Sequence, residues 1–422
     1  MYLSHLSLIN FRNFPNLELD LPPGVVVFFG RNAQGKTSLL EAIYLLAIAR
    51  SFRAENEYEL VNWQAGTEEG NALVAGAIEK RDERLRVHIG YQCVPVSESP
   101  EAALQGSTLR AQEGRPFGVR RHIRVSRVKR TAAELVGLVN AVLFTAEDIE
   151  LVQGPPSLRR RYLDILLSQV DSPYLRALQR YQRILQQRNR LLRLLQERRA
   201  KDDELTFWNE ELVKEGSWIT QQRYEAMALL SALCRERHGE LTGDGEDPQG
   251  AESLTLEYRP NVPCHGQTPS SEEMAREFMA ALEASRGREV GMGSTVVGPH
   301  RDDFRLLVNA VDMGTYASRG QARTLALTLR LAEAAYLASA RSEGPIVLLD
   351  DVLSEMDSFR RRRVLDKALE YQQVIITTTD LESIQTSHLP NATYYEVRGG
   401  QVSRLALSNG QGTKPQAYSS TR

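Results

Sequence analysis

The stretch Gly30-Arg31-Asn32-Ala33-Gln34-Gly35-Lys36-Thr37-Ser38 decides how this chain is read. It follows an apolar run at residues 25–29 and opens a pattern with Leu39, Ile43 and Leu46 at helical spacing. The spacing therefore predicts a strand, a glycine loop and a helix. A triphosphate needs donors on several sides at once, and glycines at 30 and 35 let backbone N–H groups close around it at the positive end of a helix. Lys36 then reaches the β- and γ-phosphates, and the Thr37 hydroxyl is placed to ligate Mg²⁺. A chance match in an unrelated loop is the bland alternative, but the strand and helix that the motif demands are both present. The expected ligands are ATP or GTP and Mg²⁺, with all of residues 30–38 as candidate contacts.

The chain has 422 residues, 42% of them hydrophobic and 25% charged, enough apolar material for a large core and two or three lobes. No apolar run approaches the roughly 20 residues that span a bilayer, and no secretory segment is evident, so no membrane partner is expected. Cys93, Cys234 and Cys264 lie far apart with no C-x-x-C spacing, which suggests neither a disulfide framework nor a zinc site and fits a reducing cytoplasm. The formal net charge of −2 argues against wholesale coating of nucleic acid but leaves room for a local basic face.

Alternation at Leu6, Leu8 and Phe11, and again at Leu17, Leu19 and Leu21, predicts two strands ahead of the phosphate loop, with Arg12 and Asn13 in the turn between them. Residues 73–78 and 85–91 read as two more strands of an antiparallel layer. Residues 95–118 are rich in Pro, Gly, Ser, Glu and Gln and read as a mobile surface insertion. A basic segment follows, with Arg120, Arg121, Arg124 and Arg127 set among Val119, Ile123, Val125 and Val128. Its charges form either a solvated strand face or a phosphate-contacting surface.

Residues 173–238 change to long helical patterns broken by a charged stretch at 197–204, which predicts a helical hairpin. Its first helix carries Arg176, Arg180, Arg183, Arg188, Arg190 and Arg193, several at offsets that share one face. A solvated face and a DNA-facing arm both account for them. A glycine- and acid-rich loop at 239–253 precedes a short strand at 254–258, a helix at 272–286, and strand-like stretches at 295–297 and 304–308.

A phosphate loop alone leaves the metal and the attacking water unattended, so a second, acidic strand end is required downstream. The fully apolar run Ile346-Val347-Leu348-Leu349 reads as a buried parallel strand ending in Asp350 and Asp351. Asp350 is the expected Mg²⁺ ligand, and Asp351 the group that orients or deprotonates water. Upstream, Ser318, Gly320 and Gln321 open a long helix at 323–340. They are either ordinary capping residues or the serine helix of ATP-binding-cassette enzymes, in which the serine faces a γ-phosphate held by a second copy. The order of phosphate loop, Ser-x-Gly-Gln and acidic strand end is the cassette order, and it predicts an ATP-dependent homodimer. Thr378, after a strand at 374–377, stands where that class has a histidine sensing the γ-phosphate.

The sequence resembles the RecF family, relatives of SMC and Rad50 heads. The residues that carry the resemblance are Asn10-Phe-Arg-Asn13, Asn32 to Thr37, Arg50-Ser-Phe-Arg53, Glu147-Asp-Ile and Gly154-x-Pro-x-x-Arg-Arg160-x-Tyr-Leu-Asp164. Gly298-Pro-His-Arg-Asp-Asp303, Ser318-x-Gly-Gln321 and Leu349-Asp-Asp-Val-x-Ser-Glu-Met-Asp357 extend it toward the C-terminus. Departures are Ala33 where glycine is usual, Ala146 where proline is usual, and Met356 for leucine. The resemblance implies an α/β ATP-binding-cassette head of the SMC/Rad50-like type, with mixed sheets and an inserted helical lobe containing the hairpin. The expected divisions are 1–143 and 288–407 for the head, 144–287 for the lobe and 408–422 for a flexible tail. It also implies a cytoplasmic, nucleoid-associated slow ATPase of recombinational repair, replication restart and the SOS response. Such a protein binds double-stranded and gapped DNA and works with RecR- and RecO-type mediators to help a RecA-type recombinase load. A structural SMC-like head with another DNA-organising role is the nearer rival. Its long coiled coil needs more than a hairpin of roughly 30 residues per arm, about 45 Å of helix.

Overall fold

The computed structural model describes residues 1–62, 70–95, 109–110, 116–243, 252–263, 270–379, 381, 389 and 391–405. Most of the insertion expected at 95–118, residues 244–251 of the acidic loop, Cys264 and the tail at 408–422 lie outside them. The chain divides into a unit of residues 1–146 with 337–422 and a unit of residues 147–336.

The first unit opens with strands β1 (Tyr2–Phe11), β2 (Phe14–Asp20) and β3 (Gly24–Phe29) and helix α1 (Lys36–Ile48). Then come β4 (Asn71–Glu79), β5 (Arg84–Pro95), β6 (Leu109–Arg110), β7 (Pro116–Val125), β8 (Val128–Arg130) and β9 (Ala141–Phe144). An antiparallel sheet runs β2-β1-β4-β5-β7-β6, with β8 paired to β7. The described residues 109–110 and 116–118, expected in a surface insertion, thus belong to strands β6 and β7.

Helix α1 is buried at every residue except Thr37, as its nearly unbroken apolar composition demands. It packs close to β4, where a Cβ added at Gly76 would lie 2.5 Å from Leu46. Gln373, fully buried, accepts from the Leu3 N–H at 2.9 Å and donates to the carbonyls of Leu3 and Pro22.

The second unit holds α2 (Pro156–Val170), α3 (Ser172–Gln196), α4 (Leu205–Thr242), β10 (Leu254–Arg259), α5 (Ser271–Met292), β11 (Asp303–Val308) and β12 (Val311–Asp312). Helices α3 and α4 are the expected hairpin, of 25 and 38 residues, closed at its tip by Leu191, Leu192, Leu195 and Leu205. The expected strand at 295–297 does not form. The Thr295 N–H is taken by the Asn189 side chain and that of Val296 by Glu289, which removes two of the three donors a ladder there would use.

Helix α6 (Arg319–Arg341) begins in the second unit and ends in the first, followed by β13 (Ile346–Asp350), α7 (Ser358–Ala368), β14 (Gln373–Thr378), β15 (Thr393–Arg398) and β16 (Gln401–Leu405). The inserted unit therefore ends at Tyr336 and not at 287. Pairing holds the return segment there: β11 pairs with β10 from Arg259–Asp303 to Leu254–Val308, and Tyr258 donates to the Asp302 carboxylate, so 302–308 stay with the lobe.

Ion pairs knit the lobe. Arg223, fully buried, donates to Asp302 at 2.9 Å and to Asp164 at 2.7 Å, while Arg159 grips Asp303 through two bonds of 2.7 and 3.0 Å. Arg188, expected on an exposed arginine face, is instead buried among Asn209, Thr295 and Glu289. Each nitrogen of this buried guanidinium has a partner, and removing Glu289 would strand its charge.

His300 is held between Tyr181 at 2.7 Å and the Thr295 carbonyl at 3.2 Å. Its Nε2 must donate to that carbonyl, so Nδ1 accepts from the tyrosine hydroxyl. Burial above all, with Arg301, Arg160 and Arg223 nearby, pushes its pKa down from 6.5 to about 4. The unfolded chain binds the extra proton between these two values, so this histidine contributes stability above pH 6.5 that is lost as pH falls toward 4, about 3 kcal/mol at most. Denaturant unfolding at pH 7.5 and 5 should show a steeper loss for the parent than for His300→Asn. Equal pH dependence in both would contradict a neutral buried imidazole.

Candidate nucleotide site

A sheet of order β16-β15-β3-β14-β13-β9, parallel except for β16, builds the site. Gln373 pairs with Gly24 and Val347 with Val374, so the ends of β3, β13 and β14 reach the same edge. The loop at 30–38, Asp350 and Thr377 are thereby brought together, as loops at the carboxyl ends of parallel strands are. Asn32, Ala33, the residues 35–38, Asp350 and Asp351 line a cleft of about 390 Å³ with Arg12, Asn13, Arg53, Glu59 and Val61, and Thr377 stands behind Asp350.

The loop's glycines are dictated by close approach. Gly30 has φ 154° and an added Cβ would lie 2.3 Å from the Val397 carbonyl oxygen, while one at Gly35 (φ 115°) would meet the Asn13 amide at 2.6 Å. Ala33 takes a left-handed φ of 62°, the conformation for which glycine is the cheap choice, at a cost of about 1 kcal/mol. The loop is braced from outside. Asn13 donates to the Gln34 carbonyl at 2.8 Å, and the β15–β16 turn donates from the Gly399 N–H to the Gln34 side chain at 2.7 Å.

No side chain caps α1, so the N–H groups of its first turn face the cleft with its positive end. The Lys36 ammonium folds over the loop onto the carbonyls of Gly30 at 2.7 Å and Arg31 at 2.9 Å. Burial lowers its pKa, opposed by Asp351 and Asp350. The Thr37 hydroxyl lies 3.0 Å from Asp350 Oδ1. Burial raises the Asp350 pKa, against hydrogen bonds from Thr377 and Thr37. Asp351, in a left-handed conformation at φ 54°, buries its Oδ1 with no hydrogen-bond partner.

This set fits a nucleoside triphosphate with Mg²⁺. Hard oxygen ligands from one hydroxyl and one carboxylate leave the remaining positions to phosphate and water, the way Mg²⁺ is usually held. No trio of His, Cys, Asp or Glu able to cage a metal occurs among the described residues.

Arg12 and Thr377 are contributors that motif spacing gave no role. Arg12 donates twice to buried Glu41, at 2.8 and 2.7 Å, and to the Glu59 carbonyl, with Ser51 also donating to Glu41. A carboxylate buried on α1 and an arginine two residues after Asn10 are the sequence signals that point to this tie. Thr378, expected past the end of its strand, is its last residue and is buried, its carbonyl accepting from the Gly30 N–H at 3.3 Å.

Ser318, Gly320 and Gln321 lie in the other unit, exposed at the start of α6. Ser318 and Gln321 exchange hydrogen bonds of 3.3 and 3.0 Å, a reciprocal cap, so the capping reading describes their geometry in the single chain.

The basic candidates separate by strand register. Arg120 and Arg124 are exposed on the outward face of β7, beside Gln92, His88 and Lys129. Arg127 sits exposed in the turn to β8. Arg121 points the other way, bonded to the Ala49 carbonyl and to Glu57 at 2.7 Å. On α3, Arg180 is tied to Glu215 by bonds of 2.7 and 2.9 Å, while Arg183, Arg190 and Arg193 are exposed.

If the cleft holds triphosphate, Lys36→Met should abolish nucleotide binding measured by equilibrium titration with a fluorescent ATP analogue, while its melting temperature stays near the parent's. Tight binding by this variant would exclude the loop as the phosphate site.

The model of the RecF/RecN/SMC N terminal domain family matches residues 2–400. DNA replication and repair protein RecF of Chloroflexus aurantiacus is 39% identical over 414 residues, covering 95% of this chain and 99% of the relative. The protein of that name from Geobacillus thermodenitrificans is 35% identical over 403 residues, covering 95% and 99%. Among solved structures, the recombination mediator protein RecF with ATPrS superposes with a TM-score of 0.81 at 31% identity, covering 96% of this chain and 98% of that one. The Smc head domain of Pyrococcus furiosus, at 14% identity and TM-score 0.50 over 96% of each chain, shares the fold.

Proposed function

This chain belongs to the RecF/RecN/SMC N-terminal domain family, and from that premise we propose that it is an ATP-driven DNA-binding protein of recombinational repair and replication restart. The cleft carries the proposal: a glycine loop, a lysine, a hydroxyl–carboxylate pair 3.0 Å apart and a partnerless buried carboxylate oxygen, all on one sheet edge. Relatives named as DNA replication and repair proteins, and a similar structure described with an ATP analogue, support the reading.

In this reading Thr37 and Asp350 hold Mg²⁺, which when bound neutralises phosphate charge. Lys36 leaves its two carbonyls for the β- and γ-phosphate oxygens, exchanging neutral acceptors for charged ones. Asp351 accepts a proton from, or orients, the attacking water with the oxygen that has no other partner. The exposed Ser318 helix of a second copy closes over the γ-phosphate, so two chains share two ATP molecules and hydrolysis is slow until both sites assemble. Double-stranded and gapped DNA lies on the outward basic face around Arg120, Arg124 and Arg127. RecR- and RecO-type mediators and a RecA-type recombinase follow from the family. A chromosome-organising head is disfavoured because the hairpin closes after arms of 25 and 38 residues.

Two experiments test this. Arg120→Gln, Arg124→Gln and Lys129→Gln together should weaken duplex binding at every sequence and reduce the slope of log affinity against log salt by roughly 2 to 3, about 0.9 per phosphate contact. An unchanged slope would return these residues to solvated surface. For the shared site, Ser318→Arg should bind ATP as a monomer yet neither dimerise nor hydrolyse, whereas Asp351→Asn should accumulate ATP-bound dimers in sedimentation. Parent-like hydrolysis by monomeric Ser318→Arg would leave Ser318 as a helix cap only.

A further inference from the structure

We infer that Thr377 is the positioning residue that sets both acids of the nucleotide site, a role that rests on the Mg²⁺–ATP reading of the cleft. It stands beside Asp350 in the parallel register of β13 and β14 and is buried at 1% exposure. Its hydroxyl lies 2.7 Å from Asp350 Oδ1 and 3.0 Å from the Asp351 N–H. A hydroxyl has one proton. The nearby Leu349 carbonyl is 3.4 Å away, so the carboxylate, closer and charged, takes that proton. Thr377 then donates to Asp350 and accepts from Asp351.

The two bonds do different work. The first fixes the rotamer of a carboxylate whose same oxygen also receives the Thr37 hydroxyl at 3.0 Å, so that oxygen is held by one threonine at the end of β14 and one in the first turn of α1. The second holds the backbone of Asp351 in its left-handed turn, at φ 54°, a conformation that a non-glycine residue keeps only when its surroundings impose it. Without it the chain would relax and the Asp351 carboxylate, which lines the cleft, would lose its place there. Valine has the shape of threonine without the hydroxyl, and serine keeps the hydroxyl.

The experiment compares Thr377→Val and Thr377→Ser with the parent. Binding of a non-hydrolysable ATP analogue is titrated against Mg²⁺, with and without the metal, beside ATP turnover and melting temperature. Thr377→Val should keep nucleotide binding without Mg²⁺, raise the Mg²⁺ half-saturation roughly tenfold and lower turnover roughly tenfold to a hundredfold, as loss of a hydrogen bond to a charged group does. Thr377→Ser should restore both. Where valine prevents folding, Thr377→Ala takes its place in the same comparison. Valine with the parent's Mg²⁺ dependence, or serine as impaired as valine, overturns the proposal while leaving the nucleotide assignment standing. A parent that binds the analogue identically with and without Mg²⁺ overturns the metal assignment and the proposal together.

Discussion

The alignment of β3, β14 and β13 as adjacent parallel strands is the constraint on which the site depends. Parallel pairing fixes which residues share an edge: Thr377 lies beside Asp350 on one side and Phe28 on the other, two residues before Gly30. A one-residue slip would turn Asp350 away from Thr377 and Thr37, although residues 346–349, all apolar and buried, would suit either face. The chemistry is therefore as stable as the core that registers it. Residues more than 300 positions apart, such as Thr37 and Asp350, meet without any flexible loop having to find its partner.

Around that edge the structure limits motion by bracing a strained loop from several directions. Gly30 sits against Val397, Gly35 against Asn13, and a Cβ at Gly400 would lie 2.1 Å from the Asn13 carbonyl oxygen. The left-handed Ala33 lies within this braced loop, while the left-handed Asp351 is held by its N–H bond to the Thr377 hydroxyl. Arg12 and Glu41 add a charge pair whose carboxylate is fully buried on α1. Losing Arg12 would leave that carboxylate desolvated beside the phosphate loop, so the motif at 10–13 serves the site from outside it.

The fold's framework was legible because its signals are local. The glycine loop, the apolar run ending in two acids and the long 3.6-residue periods each declare one element, and each stands where expected. The lobe boundary was not legible, because it depends on β10 pairing with β11, a contact between segments with no local sign of each other. Arg188 and Arg121 were misread for a related reason. Helical and strand periodicity locate a face, but a single arginine inside a basic run is turned inward by a partner elsewhere, Glu289 for one and Glu57 for the other. Thr377 carried no signal at all, since one buried threonine at a strand end is ordinary until the acids beside it are seen.

The same pairing explains how a chain of net charge −2 can present a basic face. Asp164, Asp302, Asp303 and Glu289 are paired with arginines of the lobe and Glu41 with Arg12, so these charges nearly cancel and the strand faces set the exposed balance. On the outward side of β5 and β7 the register sets Arg86, His88, Gln92, Arg120, His122 and Arg124 side by side with no carboxylate between them. Opposite the other end of that sheet, His5 sits between Glu18 and Asp20, and their hydrogen bonds raise its pKa. The sheet is thus acidic at one edge and basic at the other. Screening at physiological salt confines each patch to about 8 Å, so the total charge of −2 describes neither edge.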